Sequence, residues 1–253
     1  MINNININDI KDIALNAGNI IMKIYEKDFS IEYKDDKSPL TEADLKSNEI
    51  ICSALEKLYP NIPIMSEENK VIDYDERKKW EYYWCIDPID GTKEFIKRNG
   101  EFTVNIALIY KNKPVLGVVY APVLDDMYSA KKSEGTFKNG QKLPLYVNNN
   151  KDEKMLVVAS KSHLSKETQE FIDNLNTKEV EQVSKGSSLK LCMVAEGVAD
   201  IYPRLAPTME WDTAAADAIV RESSKMTYQY HSKLKESLCY NKETLLNPWF
   251  MVK

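Results

Sequence analysis

The stretch Tyr82-Tyr83-Trp84-Cys85-Ile86-Asp87-Pro88-Ile89-Asp90-Gly91-Thr92 constrains this chain more than any other. An apolar, β-prone run leads straight into two carboxylates that flank a proline, an ending that strand stability alone does not call for. Two like charges this close repel, and one keeps its proton unless a cation lies between them. Pro88 fixes its own φ and pushes Asp87 towards an extended conformation. Gly91 permits a tight turn or a close backbone approach to a ligand. Asp, backbone carbonyl and Asp form an all-oxygen set suited to a hard divalent ion such as Mg²⁺. The same residues also suit a strand end with an Asx-type turn, in which the aspartates only hydrogen-bond the backbone. The stretch by itself leaves these two readings level.

Size and charge narrow the field. A chain of 253 residues can bury a sizeable core, as one large domain or two closely joined lobes. A net charge of -5 argues against a nucleic-acid polymer as partner, which calls for a basic face. It leaves room for a small phosphorylated substrate held by local cations. The cysteines (Cys52, Cys85, Cys192, Cys239) are scattered, so neither a disulfide framework nor a zinc knuckle is indicated. No apolar run is long enough to span a bilayer, and Met1-Ile2-Asn3-Asn4 does not begin a basic-then-apolar leader. The expected location is the cytoplasm, free or peripheral on the inner membrane, as a monomer or weak dimer.

Taken in order, Ile10, Ile13, Ala14, Ala17, Ile21 and Ile24 recur at helical spacing, with Asn8 as the expected cap. A charged turn or hairpin follows at 33–39. Thr41-Glu42-Ala43-Asp44 opens a second helix, where an acidic first turn favours the helix dipole, so Asp44 alone reads as a helix-start residue. A short strand at 62–65 ends in Ser66-Glu67-Glu68, and a polar loop is expected over 69–81. Runs at 102–110, 115–121, 126–131 and 135–145, with a tight turn at Asn139-Gly140, predict an antiparallel meander. The polar segment 148–152 is the expected boundary between an N-terminal lobe (1–150) and a C-terminal lobe (151–253).

The second lobe reads as strand 155–160, helix 165–175, strand 180–184 and then Gly186-Ser187-Ser188-Leu189-Lys190 opening a helix. Glycine, two hydroxyls and free helix amides suit an anion, with Lys190 nearby, although the same residues would also cap a ligand-free helix. A strand at 199–203 leads to Arg204, and Asp212 stands at the start of a further helix, where it reads as a cap by itself.

Glu67, Asp87, Asp90 and Asp212 all sit at the ends of regular elements, and such ends can converge at one edge of a layered fold. Asp87-Pro88-Ile89-Asp90-Gly91-Thr92, with Glu67-Glu68 before it and Trp211-Asp212-Thr213-Ala214-Ala215 after it, resembles the inositol monophosphatase superfamily. The segments 93–105, Gly186-Ser187-Ser188-Leu189-Lys190 and Tyr202-Pro203-Arg204 are similar to its bacterial CysQ-type 3′(2′),5′-bisphosphate nucleotidases. The likeness loosens after Val220, since 221–240 holds no glycine, and returns at Leu246-Asn247-Pro248.

The resemblance implies an α/β layered αβαβα sandwich, two or three Mg²⁺ ions per site and, for many members, inhibition by Li⁺. It implies metal ligation by Glu67, Asp87, the Ile89 carbonyl, Asp90 and Asp212. Asp44 and Thr92 match the residues that orient or deprotonate water, and Glu68 matches a supporting position. Glu67, Ile89, Asp90, Gly91, Thr92, His163, Ser187, Ser188, Lys190, Arg204 and Asp212 match the substrate's surroundings. The implied reaction is hydrolysis of the 3′-phosphate of 3′-phosphoadenosine 5′-phosphate, with 3′-phosphoadenylyl sulfate as a second substrate. An inositol or sugar-phosphate phosphatase is the enzyme alternative, and a metal- and nucleotide-sensing module the non-enzyme one. Phosphate-ester hydrolysis calls for accelerations up to ~10²¹, whereas a positioned base supplies only ~10²–10⁴, so metals must carry the larger share.

Overall fold

The structure is a computed structural model that describes residues 2–34, 39–149, 153–160, 164–231 and 236–253. Helix α1 (Ile7–Tyr25) buries Ile10, Ile13, Ala14, Ala17 and Ile21 on one stripe. Its cap is Asn6 rather than Asn8: the Asn6 side chain accepts from the Asn8 amide, because helical φ/ψ already begins at Ile7. Strands β1 (Ile31–Tyr33) and β2 (Pro39–Thr41) form the expected hairpin, whose tip at 35–38 lies outside the described residues. Helix α2 (Glu42–Leu58) starts in a capping box: the Thr41 side chain accepts from the Ala43 amide, and Asp44 accepts from the Thr41 amide.

The short parallel strand β3 (Ile64–Ser66) follows. Residues 69–81, expected as a loop, contain helix α3 (Tyr74–Arg77). The reason lies far along the chain. Buried Arg77 donates to Ile72 O, Lys242 O, Glu243 O and the Asn241 side chain, while Asn241 donates back to Arg77 O. Strands β4 (Tyr82–Asp90), β5 (Thr103–Tyr110), β6 (Lys113–Ala121), β7 (Asp126–Lys131), β8 (Gly135–Lys138) and β9 (Gln141–Lys142) complete a sheet in sequence order from β3. All neighbours from β4 onward are antiparallel, as the meander predicts. The short helix α4 (Thr92–Ile96) leaves β4 through Gly91, whose φ of 96° requires glycine.

In the second half, β10 (Lys154–Ser160) pairs in parallel with β11 (Glu179–Lys185) across helix α5 (Lys166–Asp173). Helix α6 (Leu189–Glu196) and strand β12 (Tyr202–Arg204) precede helix α7 (Glu210–Glu222). The strand expected at 199–203 is shifted towards the cleft and ends on Arg204, where it pairs with β14 (Phe250–Val252) beside β13 (Thr227–Gln229). No glycine is present to turn the chain after α7; Ser224, at φ 64°, takes the left-handed position.

Two apolar cores flank the large sheet. On one face Ile13, Ala17 and Ile21 of α1 and Ile51 and Leu55 of α2 pack with Trp84, Ile86, Val104, Ile106 and Val118. On the other, Leu191 and Val194 of α6 and Ala214, Ala215 and Ile219 of α7 pack with Tyr83, Cys85, Ala107, Ile109 and Val119. Helix α6 is apolar nearly all round because it is a middle layer with β10 behind it, and α5 closes the far side on Val157, Ala159 and Ile201. The order is helix, sheet, helix, sheet, helix. Gly117 sets one spacing in this stack: a Cβ there would lie 2.1 Å from Ala215 O, so α7 approaches β6 at backbone distance.

Candidate active site

The C-terminal ends of β3 and β4 lie side by side, because these strands pair in parallel with Ile64 opposite Trp84 and Ser66 opposite Ile86. That pairing delivers Glu67 beside Asp87. Helix α7, packed across β4, β5 and β6, brings its first turn to the same place. Oxygen atoms of Glu67, Asp87 and Asp212 lie within 4.8 Å of one another. The strand register shifts between Asp87 and Asp90, a local irregularity that re-aims the last residues of β4.

Each carboxylate is held on its far side. Asp87 accepts from the Ile89 amide at 3.1 Å. Asp212 is the third residue of α7, not its cap, and its Oδ2 accepts from the Met209 amide at 2.8 Å. Asp90 Oδ2 accepts from the Ser188 hydroxyl at 2.6 Å and from Asn105 Nδ2 at 3.4 Å. Asn105 also donates to Ser188 Oγ at 2.7 Å, and Ser188 lies 3.0 Å from Asp212 O. Ser188 is 1% exposed and is spent on this network, beneath the cleft rather than on its wall.

Asp44 stands behind Thr92. Its Oδ2 accepts from the Thr41 amide and hydroxyl at 2.8 and 2.6 Å, and its Oδ1 accepts from the Thr92 hydroxyl at 3.1 Å. Thr92 Oγ1 also lies 3.3 Å from the Ile89 carbonyl, and the Pro88 carbonyl accepts from Ser47 at 2.9 Å. Glu67 and Glu68 share the Lys34 ammonium, at 2.8 and 2.6 Å.

A cleft of about 210 Å³ opens over these groups. It is lined by Glu67, Asp87, Asp90 and Asp212 with Ile89, Gly91 and Thr92, and by Ser187, Lys190 and Arg204. Lys190 is buried, donates to Ser187 O at 2.6 Å and lies 5.6 Å from the Tyr202 ring centre. Ser187 sits at φ 45° with its hydroxyl oxygen buried and unpaired. Tyr202 and Phe250, whose rings meet edge to face at 5.8 Å, supply an apolar wall. His163 lies outside the described residues.

Burial dominates the electrostatics. It pushes Asp87 well above the usual carboxylate range, and Glu67, Asp90 and Asp212 add repulsion. Asp212 is pushed up to about 8 by burial and then by Asp90. Asp90 and Asp44 are raised by burial too, with Lys190 offsetting part of the rise for Asp90 and Thr41 for Asp44. Burial lifts Glu68 to about 7 despite Lys34, and lowers Lys190 to about 8 despite Asp90. Carboxylates this crowded and this poorly hydrated fit a hard cation, because opposing charge relieves repulsion and desolvation while leaving them ionised. The donor set, clustered carboxylate oxygens, suits a hard divalent cation.

Asn105, Lys34, Tyr202 and Phe250 carry no expected role in the sequence. Asn105 follows Asp87 across the β4–β5 register and so was reachable from strand pairing. Lys34 belongs to a hairpin whose fold-back onto Glu67 has no local signal.

The sequence profile of the inositol monophosphatase family matches residues 6–243. The chain is 46% identical over 244 residues to the 3′(2′),5′-bisphosphate nucleotidase CysQ of Salmonella typhimurium, covering 95% of this chain and 96% of that one. It is 43% identical over 250 residues to the protein of that name from Escherichia coli K12, covering 97% and 98%. The crystal structure of CysQ from Bacteroides thetaiotaomicron superposes with a TM-score of 0.87 at 44% identity, over 97% of this chain and 96% of that one. This chain belongs to the inositol monophosphatase family of metal-dependent phosphatases.

Proposed function

We propose that this protein is a Mg²⁺-dependent phosphomonoesterase that removes the 3′-phosphate of 3′-phosphoadenosine 5′-phosphate, giving AMP and phosphate, with 3′-phosphoadenylyl sulfate as a second substrate. The observation that carries the reading is the cleft itself. Four carboxylates lining one cleft would repel an anionic substrate unless cations neutralised them, and Lys190 and Arg204 line the same cleft. The relatives' printed activity, at 43–46% identity over nearly the whole chain, supports the same substrate class.

Glu67, Asp87, the Ile89 carbonyl, Asp90 and Asp212 would hold two or three Mg²⁺ ions. Bound there, such ions would neutralise the phosphoryl oxygens, acidify the attacking water and stabilise the leaving alkoxide. The rest falls to the chain's own residues. Thr92 donates its hydroxyl hydrogen to Asp44 Oδ1, which leaves Thr92 Oγ1 as an acceptor for the water. As water attacks phosphorus, its proton passes to Thr92 Oγ1 while the threonine proton moves to Asp44. Burial raises the proton affinity of Asp44 and so suits it to that role. Glu68 holds Lys34 beside Glu67, Gly91 and Thr92 offer backbone amides to the phosphate, and Ser188 fixes Asp90. Ser187, Lys190 and Arg204 would contact the nucleotide, and Tyr202 and Phe250 offer ring surface to the adenosine. Within this reading, residues 1–150 form a lobe that carries most metal ligands, and 151–253 a lobe with Asp212 and the nucleotide contacts.

Among the described residues no helix is long and apolar enough to cross a membrane. We place the protein in the cytoplasm, free or peripheral on the inner membrane, as a monomer or weak dimer.

The test is Mg²⁺-dependent phosphate release from 3′-phosphoadenosine 5′-phosphate beside inositol monophosphate. Strong preference for the nucleotide is expected. Equal or faster turnover of the inositol ester would overturn the nucleotide assignment and keep the metal chemistry.

A further inference from the structure

Helix α7 begins without a conventional cap. Met209 occupies the cap position and has no side-chain oxygen to offer the first turn, yet its amide must stay fixed to hold Asp212 Oδ2. What fixes it comes from the C-terminal segment. Glu210 N donates to Leu245 O at 2.9 Å and Asn247 N to Thr208 O at 2.8 Å, with Met209 and Leu246 bridged between them. The segment thus runs antiparallel along the entrance of α7.

The Asn247 side chain locks this strap. It is 4% exposed, and its Nδ2 donates to Met209 O at 2.7 Å and to Thr213 Oγ1 at 3.1 Å, with Thr208 Oγ1 at 3.3 Å. Lys242 Nζ lies 3.3 Å from Asn247 Oδ1. A carbonyl can only accept and an ammonium can only donate, so these partners define which end of the amide faces Met209. Thr208 and Thr213 both line the cleft. One buried amide therefore joins the Met209 carbonyl, on the same residue whose amide holds Asp212, to two hydroxyl-bearing residues of the cleft wall.

We propose that Asn247 is a positioning residue for the cation site, acting through Met209 on Asp212. The inference rests on the metal reading above and deepens it: the last ligand depends on a side chain outside the cleft. Asn247→Asp keeps the shape and removes the donor, setting a carboxylate oxygen against Met209 O. The turn must then shift, and the Met209 amide with it. Loss of an outer-shell partner typically costs ~10–100-fold in metal affinity.

The experiment measures Mn²⁺ binding to substrate-free protein by electron paramagnetic resonance, with melting in EDTA as a control for folding. Asn247→Asp and Asn247→Ala are expected to weaken Mn²⁺ binding ~10–100-fold. Their EDTA-state melting should move by no more than a few degrees, and the Mg²⁺ concentration for half-activation should rise more than the nucleotide KM. Leu246→Ala, in the same strap with an exposed side chain, should bind Mn²⁺ like the parent. If the aspartate variant does not melt cooperatively, Asn247→Gln carries the same test, with the donors displaced by one methylene. Parent-like Mn²⁺ affinity in a folded Asn247 variant would overturn the inference and leave the metal reading standing. A parent protein that binds no Mn²⁺ would overturn the metal reading, and this inference with it.

Discussion

Withdrawing divalent cations should make the fold sensitive to alkali, and Asp212 sets the scale. Its carboxyl is raised to about 8 in the folded chain from an ordinary value of 3.8. Between those values the folded state holds the proton more tightly than the unfolded one. Stability is therefore fully present below the lower value and is lost as pH rises through the upper one, by about 1.4 kcal/mol per unit. From about pH 5.5 to about pH 8 the full loss is ~3 kcal/mol. Asp212 borders the cleft and is only partly buried, so water shares its charge, and we take roughly half, ~1.5 kcal/mol. At about 2–4 °C per kcal/mol for a chain of this size, Tm in EDTA should fall by ~3–6 °C over that range. Glu68, raised to about 7 by burial, changes in the same direction. Mg²⁺ binds the ionised carboxylates, so it should raise Tm more at the upper pH than at the lower. Differential scanning fluorimetry over the pH series, with EDTA or Mg²⁺, reads both. A Tm in EDTA that is flat or rising, or an equal Mg²⁺ gain at both ends, would refute the reasoning.

Three substitutions separate chemistry from architecture. Asp90→Asn should lower phosphate release by more than ~10²-fold, beyond the ~10–100-fold typical of an outer partner. Its Tm in EDTA should hold or rise, because one member of a repelling set is neutralised. Ser188→Ala, which frees Asp90 Oδ2 of its shortest contact, should lower activity ~10–100-fold and raise the Mg²⁺ requirement in a metal titration. Arg77→Ala should cost about 1–3 kcal/mol in urea unfolding, because it removes the donors to the part-buried carbonyls of Ile72, Lys242 and Glu243 and to the buried Asn241 side chain. The Mg²⁺ dependence of its folded fraction should stay that of the parent.

What the sequence reveals and conceals follows the range of each interaction. The Asp87-Pro88-Ile89-Asp90 turn was legible because its constraints are local: two charges, a fixed φ and a glycine within a few residues. The meander was legible for the same reason, since each strand pairs with its sequence neighbour. The helix at Tyr74–Arg77 was not, because its meaning lies in carbonyls more than 160 residues away. Asn8 in place of Asn6 is the ordinary uncertainty of a helix start, where several polar residues compete for one cap. Asp212 was found as a helix-start residue, but the strap that holds that start is tertiary. The role of Ser188 was hidden too, since in sequence a hydroxyl turned towards Asp90 looks the same as one turned towards a ligand.

The bare backbone contact at Gly117 acts as a gauge for the chemistry at a distance. Ala215 lies less than one turn beyond Asp212, and a methyl at position 117 would begin 2.1 Å from the Ala215 carbonyl oxygen. Restoring ordinary contact would lift α7 by roughly 1 Å, against the ~0.2 Å within which ligand distances must hold. The helix is stiff enough to carry that error to its first turn, so tolerance at the cleft is machined into the middle of a strand that never touches substrate. A residue with no side chain thereby limits how far the two halves of the acidic site can drift apart.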